Sequence, residues 1–108
     1  MLGGPGLLEA AYEEALVCEL QLRGVHVQRQ VPVPLHYKGH LLATALRIDL
    51  LVDDCLIVEC KATSKNNPVF AAQALTYLRI TGMRLALVIN FGQILLKHGT
   101  ERVANGVA

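Results

Sequence analysis

The sequence predicts an α/β domain of the α+β type, a mixed sheet flanked by helices. Three observations carry that reading. The elements follow the order α-β-β-β-α-β-β. The second helix links two apolar strands, and such a crossover makes its strands parallel while hairpins make theirs antiparallel. Finally, 108 residues with 53% hydrophobic and 18% charged side chains suffice for one packed core, so a single domain over residues 1–108 is expected and a disordered chain is excluded.

Gly6 to Arg23 reads as the first helix, with Pro5 as an early helical residue, Glu9, Glu13 and Glu14 near its positive end, and Gly24 as a stop. Val25 to His36 is a strand that Pro32 and Pro34 confine to a sheet edge, because each removes a ladder donor. Lys38-Gly39 turns the chain into a second strand, Leu41 to Val52, and a turn at Asp53-Asp54 leads to a third, Cys55 to Lys61. Asn67-Pro68 is an N-cap followed by proline at the first helical position. That helix runs to Thr81 and stops at Gly82. Arg84 to Phe91 is a buried strand, and a shorter one is expected near Ile94 to Lys97.

Composition removes several function classes. The longest apolar run is Leu85 to Ile89, far short of the roughly 20 residues of a spanning helix, so no membrane partner is expected. The first residues carry no basic stretch of the signal-peptide kind, and three cysteines without a CxxC form neither a disulfide framework nor an iron–sulfur site. A cytoplasmic protein is the expectation. Ten Lys+Arg against nine Asp+Glu neither demands nor forbids a nucleic-acid partner. The histidines have no metal-ligand spacing, Ser64 has no GxSxG context, and no GxGxxG or Walker loop occurs.

The informative residues are polar ones in apolar places. On the first helix Glu9 shares a stripe with Tyr12, Leu16 and Leu20; a first-turn glutamate favoured by the helix dipole is the structural alternative. On the second strand alternation puts Leu46, Ile48, Leu50 and Val52 on one face and Ala45, Arg47, Asp49 and Leu51 on the other. On the third, Ile57, Glu59 and Lys61 share a face. Buried ion pairs would explain each charge separately. Together, two carboxylates and an ammonium on adjacent strands suit a hard divalent cation and phosphodiester hydrolysis. A two-residue turn would set Asp49 and Glu59 on opposite faces. The expected loop is therefore Asp53-Asp54-Cys55, pairing Val52 with Leu56 and Asp49 with Glu59. Gln73 and Tyr77 lie four apart on one face of the second helix, as a site or as surface decoration.

Gly6-Leu7-Leu8-Glu9-Ala10-Ala11-Tyr12 resembles the name-giving motif of the GxxExxY protein family, placed in the PD-(D/E)XK nuclease superfamily. The resemblance continues through Tyr37-Lys38-Gly39, Arg47 to Val52, Val58-Glu59-Cys60-Lys61-Ala62, Ala72-Gln73 to Tyr77-Leu78, Ile89-Asn90-Phe91-Gly92 and Asn105-Gly106. It implies a restriction-endonuclease-like αβββαβ core and dependence on Mg²⁺ or Mn²⁺. It implies that Glu9, Asp49 and Glu59, with the backbone carbonyl of Cys60, hold the metal. Lys61 matches the superfamily lysine, and Gln73 and Tyr77 match the QxxxY element of exonuclease-like branches. Ile48 stands where the superfamily has a proline. Family members usually carry a further segment before the motif, so this chain resembles a truncated or late-start form. The implied activity is metal-dependent hydrolysis of DNA; the alternative is a non-catalytic nucleic-acid- or protein-binding module that keeps the fold. A homo-oligomer stays open.

Overall fold

A computed structural model of the chain describes residues 4–92 and 99–106. Helix α1 (Gly4–Leu22) is followed by strands β1 (Val27–Tyr37), β2 (His40–Val52) and β3 (Leu56–Lys61), helix α2 (Pro68–Thr81), and strands β4 (Leu85–Asn90) and β5 (Thr100–Ala104). The strands form one sheet in the order β1-β2-β3-β4-β5. β3 and β4 run parallel across the α2 crossover, and the other neighbours are antiparallel, so the sheet is mixed as expected. β1, with its two prolines, lies at an edge.

The punctuation of α2 follows its sequence. Asn67 is extended and its Oδ1 accepts the Val69 amide at 3.0 Å, Pro68 opens the helix, and Gly82 closes it at φ 75° with its amide on the Leu78 carbonyl. α2 buries Ala74 and Leu78 against Ile48, Ile57, Ala86 and Val88 on one face of the sheet. α1 covers the other face, where Val17 packs with Leu50, Val52, Val58 and Cys60. Each large aliphatic so buried contributes about 1.5–3 kcal/mol.

Two expectations change. Ile48 belongs to the α2-side core, whereas Leu50 and Val52 belong to the α1-side core, so the four alternate residues of β2 do not share one face. β1 does the same: Val27 packs on the α1 side, Val31 and Val33 on the α2 side. Both switches fall at Gln30 and Asp49, the pair missing from an otherwise constant run between Val27↔Val52 and Pro34↔Ala45. Gln30 there has φ 52°, a left-handed conformation that costs a non-glycine residue about 1–2 kcal/mol. Its side-chain amide donates to both oxygens of Glu13, at 2.9 and 3.1 Å, which offsets that cost. The second change concerns the last strand. The expected segment Ile94 to Lys97 lies outside the described residues, and β5 is Thr100–Ala104. This exposed edge strand sends only Val103 against the core, so it carries almost no apolar alternation to read.

Candidate active site

The β2–β3 hairpin has the odd-length loop that the site requires. Val52 pairs with Leu56, Leu51 with Ile57 and Leu50 with Val58. Asp53 and Asp54 both take positive φ, which their short polar side chains tolerate, and the Cys55 amide closes the turn on the Val52 carbonyl at 3.1 Å. One step further along, the ladder gives way to side chains. The Cys60 amide donates to Asp49 Oδ2 at 2.9 Å, and the Asp49 amide donates to Glu59 Oε1 at 3.4 Å. The two carboxylates thus meet where the strands stop pairing, beside the face switch in β2.

Helix α1 brings two acids, of which the sequence reading singled out one. Glu9 is half-buried within the field of Lys61, Asp49 and Glu13. Glu13, one turn on, is buried at 4% exposure, with Gln30 on both its oxygens and Arg29 Nε at 3.3 Å. Oxygens of Glu13 and Asp49 and the Cys60 sulfur lie within 4.8 Å of one another. The signal for Glu13 was present in its i+4 spacing from Glu9, in line with Val17 and Leu20, but the sequence marks it only as one of three acids near the positive end of the helix. Tyr12, expected on the apolar stripe, is 37% exposed and stacks on Phe91 instead.

Lys61 ends β3, opposite Asn90 in the parallel ladder. Its Nζ sits 5.1 Å from the Phe70 ring centroid, close enough for a cation–π contact. Asn90 is wholly buried and clasps the loop that follows Lys61. Its Oδ1 accepts the Thr63 and Gly92 amides at 2.9 and 3.0 Å, and its Nδ2 donates to Thr63 Oγ1 and Asn66 Oδ1, both at 3.0 Å. A Cβ on Gly92 would meet the Thr63 carbonyl oxygen at 2.1 Å, so only glycine allows this approach. On α2, Gln73 and Tyr77 line a small open cavity of about 170 Å³ together with Leu46 and Thr76. Tyr77 also lies in the field of Glu59 and Asp49: burial first, then those two charges, raise its pKa.

The electrostatics decide what such a patch can hold. Burial and the neighbouring Asp49 charge push Glu59 up from 4.5 to about 8. Burial also raises Glu9, against the lowering effect of Lys61. Burial and the surrounding acids push the Cys60 thiol far up, which keeps it protonated and unsuited to a hard cation. The donor set that remains is carboxylate oxygen with mutual repulsion to relieve, which fits a divalent cation of the Mg²⁺ class.

A model of the PD-(D/E)XK nuclease superfamily matches residues 2–103, nearly the whole chain. The chain belongs to the PD-(D/E)XK nuclease superfamily. No curated protein matches it. Among solved structures, the crystal structure of SSO0001 superposes with a TM-score of 0.70 at 10% sequence identity, covering 98% of this chain and 55% of that one. That likeness shows the fold, and this chain spans about half the length of that protein. Nucleases of this superfamily generally use divalent metals, and Glu13, Asp49 and Cys60 form a possible metal-holding group in this chain. Among the described residues no helix is long and apolar enough to cross a membrane.

Proposed function

We propose that this chain is a nuclease of the GxxExxY kind that hydrolyses phosphodiester bonds of DNA with Mg²⁺ or Mn²⁺. The observation that carries the reading is the meeting of Asp49 and Glu59 at the end of their ladder, with Lys61 on the same strand as Glu59 and Glu59 held near pKa 8 by burial and by Asp49. Asp49 and Glu59 hold the metal, with Glu9 from α1 and the backbone carbonyl of Cys60 completing the oxygen set. When bound, the cation lowers the pKa of a water and neutralises charge on the phosphate. Glu13 is committed to Gln30 and Arg29, and through them fixes the bend that presents Asp49. Lys61 orients the attacking water or stabilises charge on the phosphate, its ammonium held over Phe70. Gln73 and Tyr77 position substrate from α2. The free thiols of Cys18, Cys55 and Cys60 support a reducing, cytoplasmic setting.

Labelled single- and double-stranded DNA incubated with Mg²⁺, Mn²⁺ or EDTA tests the reading. Cleavage should need the divalent metal and vanish in Asp49→Ala, Glu59→Ala and Lys61→Ala while these remain folded. Wild type that binds DNA but never cuts it, with Ala variants that bind equally well, would replace the enzyme with a binding module.

A further inference from the structure

The aromatic pair beside Lys61 has no part in holding a metal. Tyr12 lies on α1 between Glu9 and Glu13, and its ring stacks on Phe91 with centroids 4.8 Å apart and planes 5° from parallel. Phe91 follows Asn90 directly, and its amide donates to the Lys61 carbonyl at 2.8 Å. One hydrogen bond therefore ties the pair to the main chain of the lysine. Phe91 packs against the α1-side core, while Tyr12 stays 37% exposed. One face of the tyrosine ring is covered by Phe91, so the opposite face is the one left for a second ring to stack on.

A large ring held this way is already ordered and loses little freedom when something stacks on it. Its surroundings select what can. Glu9 and Glu13 flank Tyr12 on α1 and lie in the field of Asp49, an acidic setting that disfavours a bare phosphate on the ring. The flat face of a nucleobase is neutral and carries no such cost. A base inside a duplex has both faces covered and would have to unstack first, at a few kcal/mol.

We propose that Tyr12, backed by Phe91, is a stacking platform for an unpaired nucleobase next to the scissile phosphate, so that the site takes nucleic acid that is single-stranded where it is cut. This rests on the nuclease reading. It adds a specificity determinant on α1, outside the metal-binding set.

The test uses the full chain carrying Lys61→Ala, which should bind without cutting, and single-stranded oligonucleotides with one abasic position moved along the strand. With Tyr12 present, one abasic position should weaken binding by about 5- to 150-fold, the range for a single base–aromatic stack. 2-Aminopurine at that position should be quenched on binding. Tyr12→Phe should keep both effects. Tyr12→Leu should bind base-bearing and abasic strands alike and leave 2-aminopurine bright. A residue that only docked α1 on β4 would lower the melting temperature in Tyr12→Leu without touching either readout. Discrimination that survives in Tyr12→Leu, or equal affinity of wild type for single strand and duplex, overturns the platform. If wild type cuts DNA at the same rate whatever position is abasic, the platform falls and the nuclease reading stands. If wild type neither binds nor cuts any nucleic acid with Mg²⁺ or Mn²⁺, both fall.

Discussion

Two buried polar clusters sit at the Lys61 end of the sheet and differ in kind. Around Asn90 every group is neutral and matched: two amides find its oxygen, two side-chain oxygens find its nitrogen, and Gly92 lets the loop close on Thr63. Around Asp49 and Glu59 the groups are two acids held close together, and burial and the Asp49 charge force Glu59 up to about 8. The first cluster is complete and holds the loop after Lys61 in place. The second resists ionising Glu59 as it stands, and on the proposed function a bound cation would relieve that cost. Structural and chemical roles can therefore be told apart by whether a polar group's needs are met within the fold.

The largest effects should separate the clusters by activity. On the proposed function, in which each acts on the reacting centre, Asp49→Ala, Glu59→Ala and Lys61→Ala should each lower kcat by about 100-fold or more. The Asp49/Glu59 double variant should be little slower than either single one, because the acids act as a unit. Steady-state cleavage on folded protein checks both statements, and additive losses would contradict the shared site.

Stability should show the opposite ranking. Asn90→Ala strands the Thr63 and Gly92 amides, each worth about 1–3 kcal/mol when left unsatisfied, and should cost about 3 kcal/mol. Gly92→Ala should cost about 1–3 kcal/mol through its clash with Thr63. Denaturant unfolding measures both. A neutral Asn90→Ala would mean that the clasp contributes nothing.

Glu59 makes the comparison depend on pH. Its folded pKa of about 8 exceeds the ordinary 4.5, so the folded chain binds this proton more tightly than the unfolded one. The contribution is complete below about pH 4.5 and is lost as the pH rises through 8. Metal-free wild type should therefore lose stability between those values, and Glu59→Gln should lose less. At pH 8 without metal, Glu59→Gln should be the more stable by about 1–3 kcal/mol. Melting curves across that range, with chelator present, decide it. Identical pH slopes for the two proteins would refute the strained patch.

Much of this was legible in the sequence because it rests on short-range rules. The caps of α2 follow from Asn67, Pro68 and Gly82, and the edge position of β1 from Pro32 and Pro34. The loop of the β2–β3 hairpin followed from requiring Asp49 and Glu59 to share a patch, and the observed pairs have that register. What escaped depends on contacts distant in sequence. The face switch at Gln30 and Asp49 is fixed by Glu13 from another element, so strict alternation along β2 misplaced Ile48 relative to Leu50. The clasp by Asn90 was not read from the strand Arg84 to Phe91, since its partners Thr63 and Asn66 lie 24 to 27 residues earlier. β5 has a single core-facing residue, too few for a periodic signal.

The smallest effect belongs to the support behind Asp49. Arg29 reaches Glu13 at 3.3 Å from a side chain 40% exposed, so Arg29→Ala should cost only about 0.5–1 kcal/mol. Its unfolding midpoint, compared with that of Asn90→Ala, should move several-fold less.

Titration calorimetry of Mn²⁺ into metal-free protein tests the central claim most directly, when run at pH 7 in two buffers of different ionisation heat. Glu59 is mostly protonated at pH 7 and must lose its proton to become a ligand. Wild type should bind saturably with release of close to one proton at pH 7 and almost none at pH 9.5, and binding should disappear in Asp49→Asn. Equal binding by wild type and Asp49→Asn, or binding at pH 7 without proton release, would contradict it.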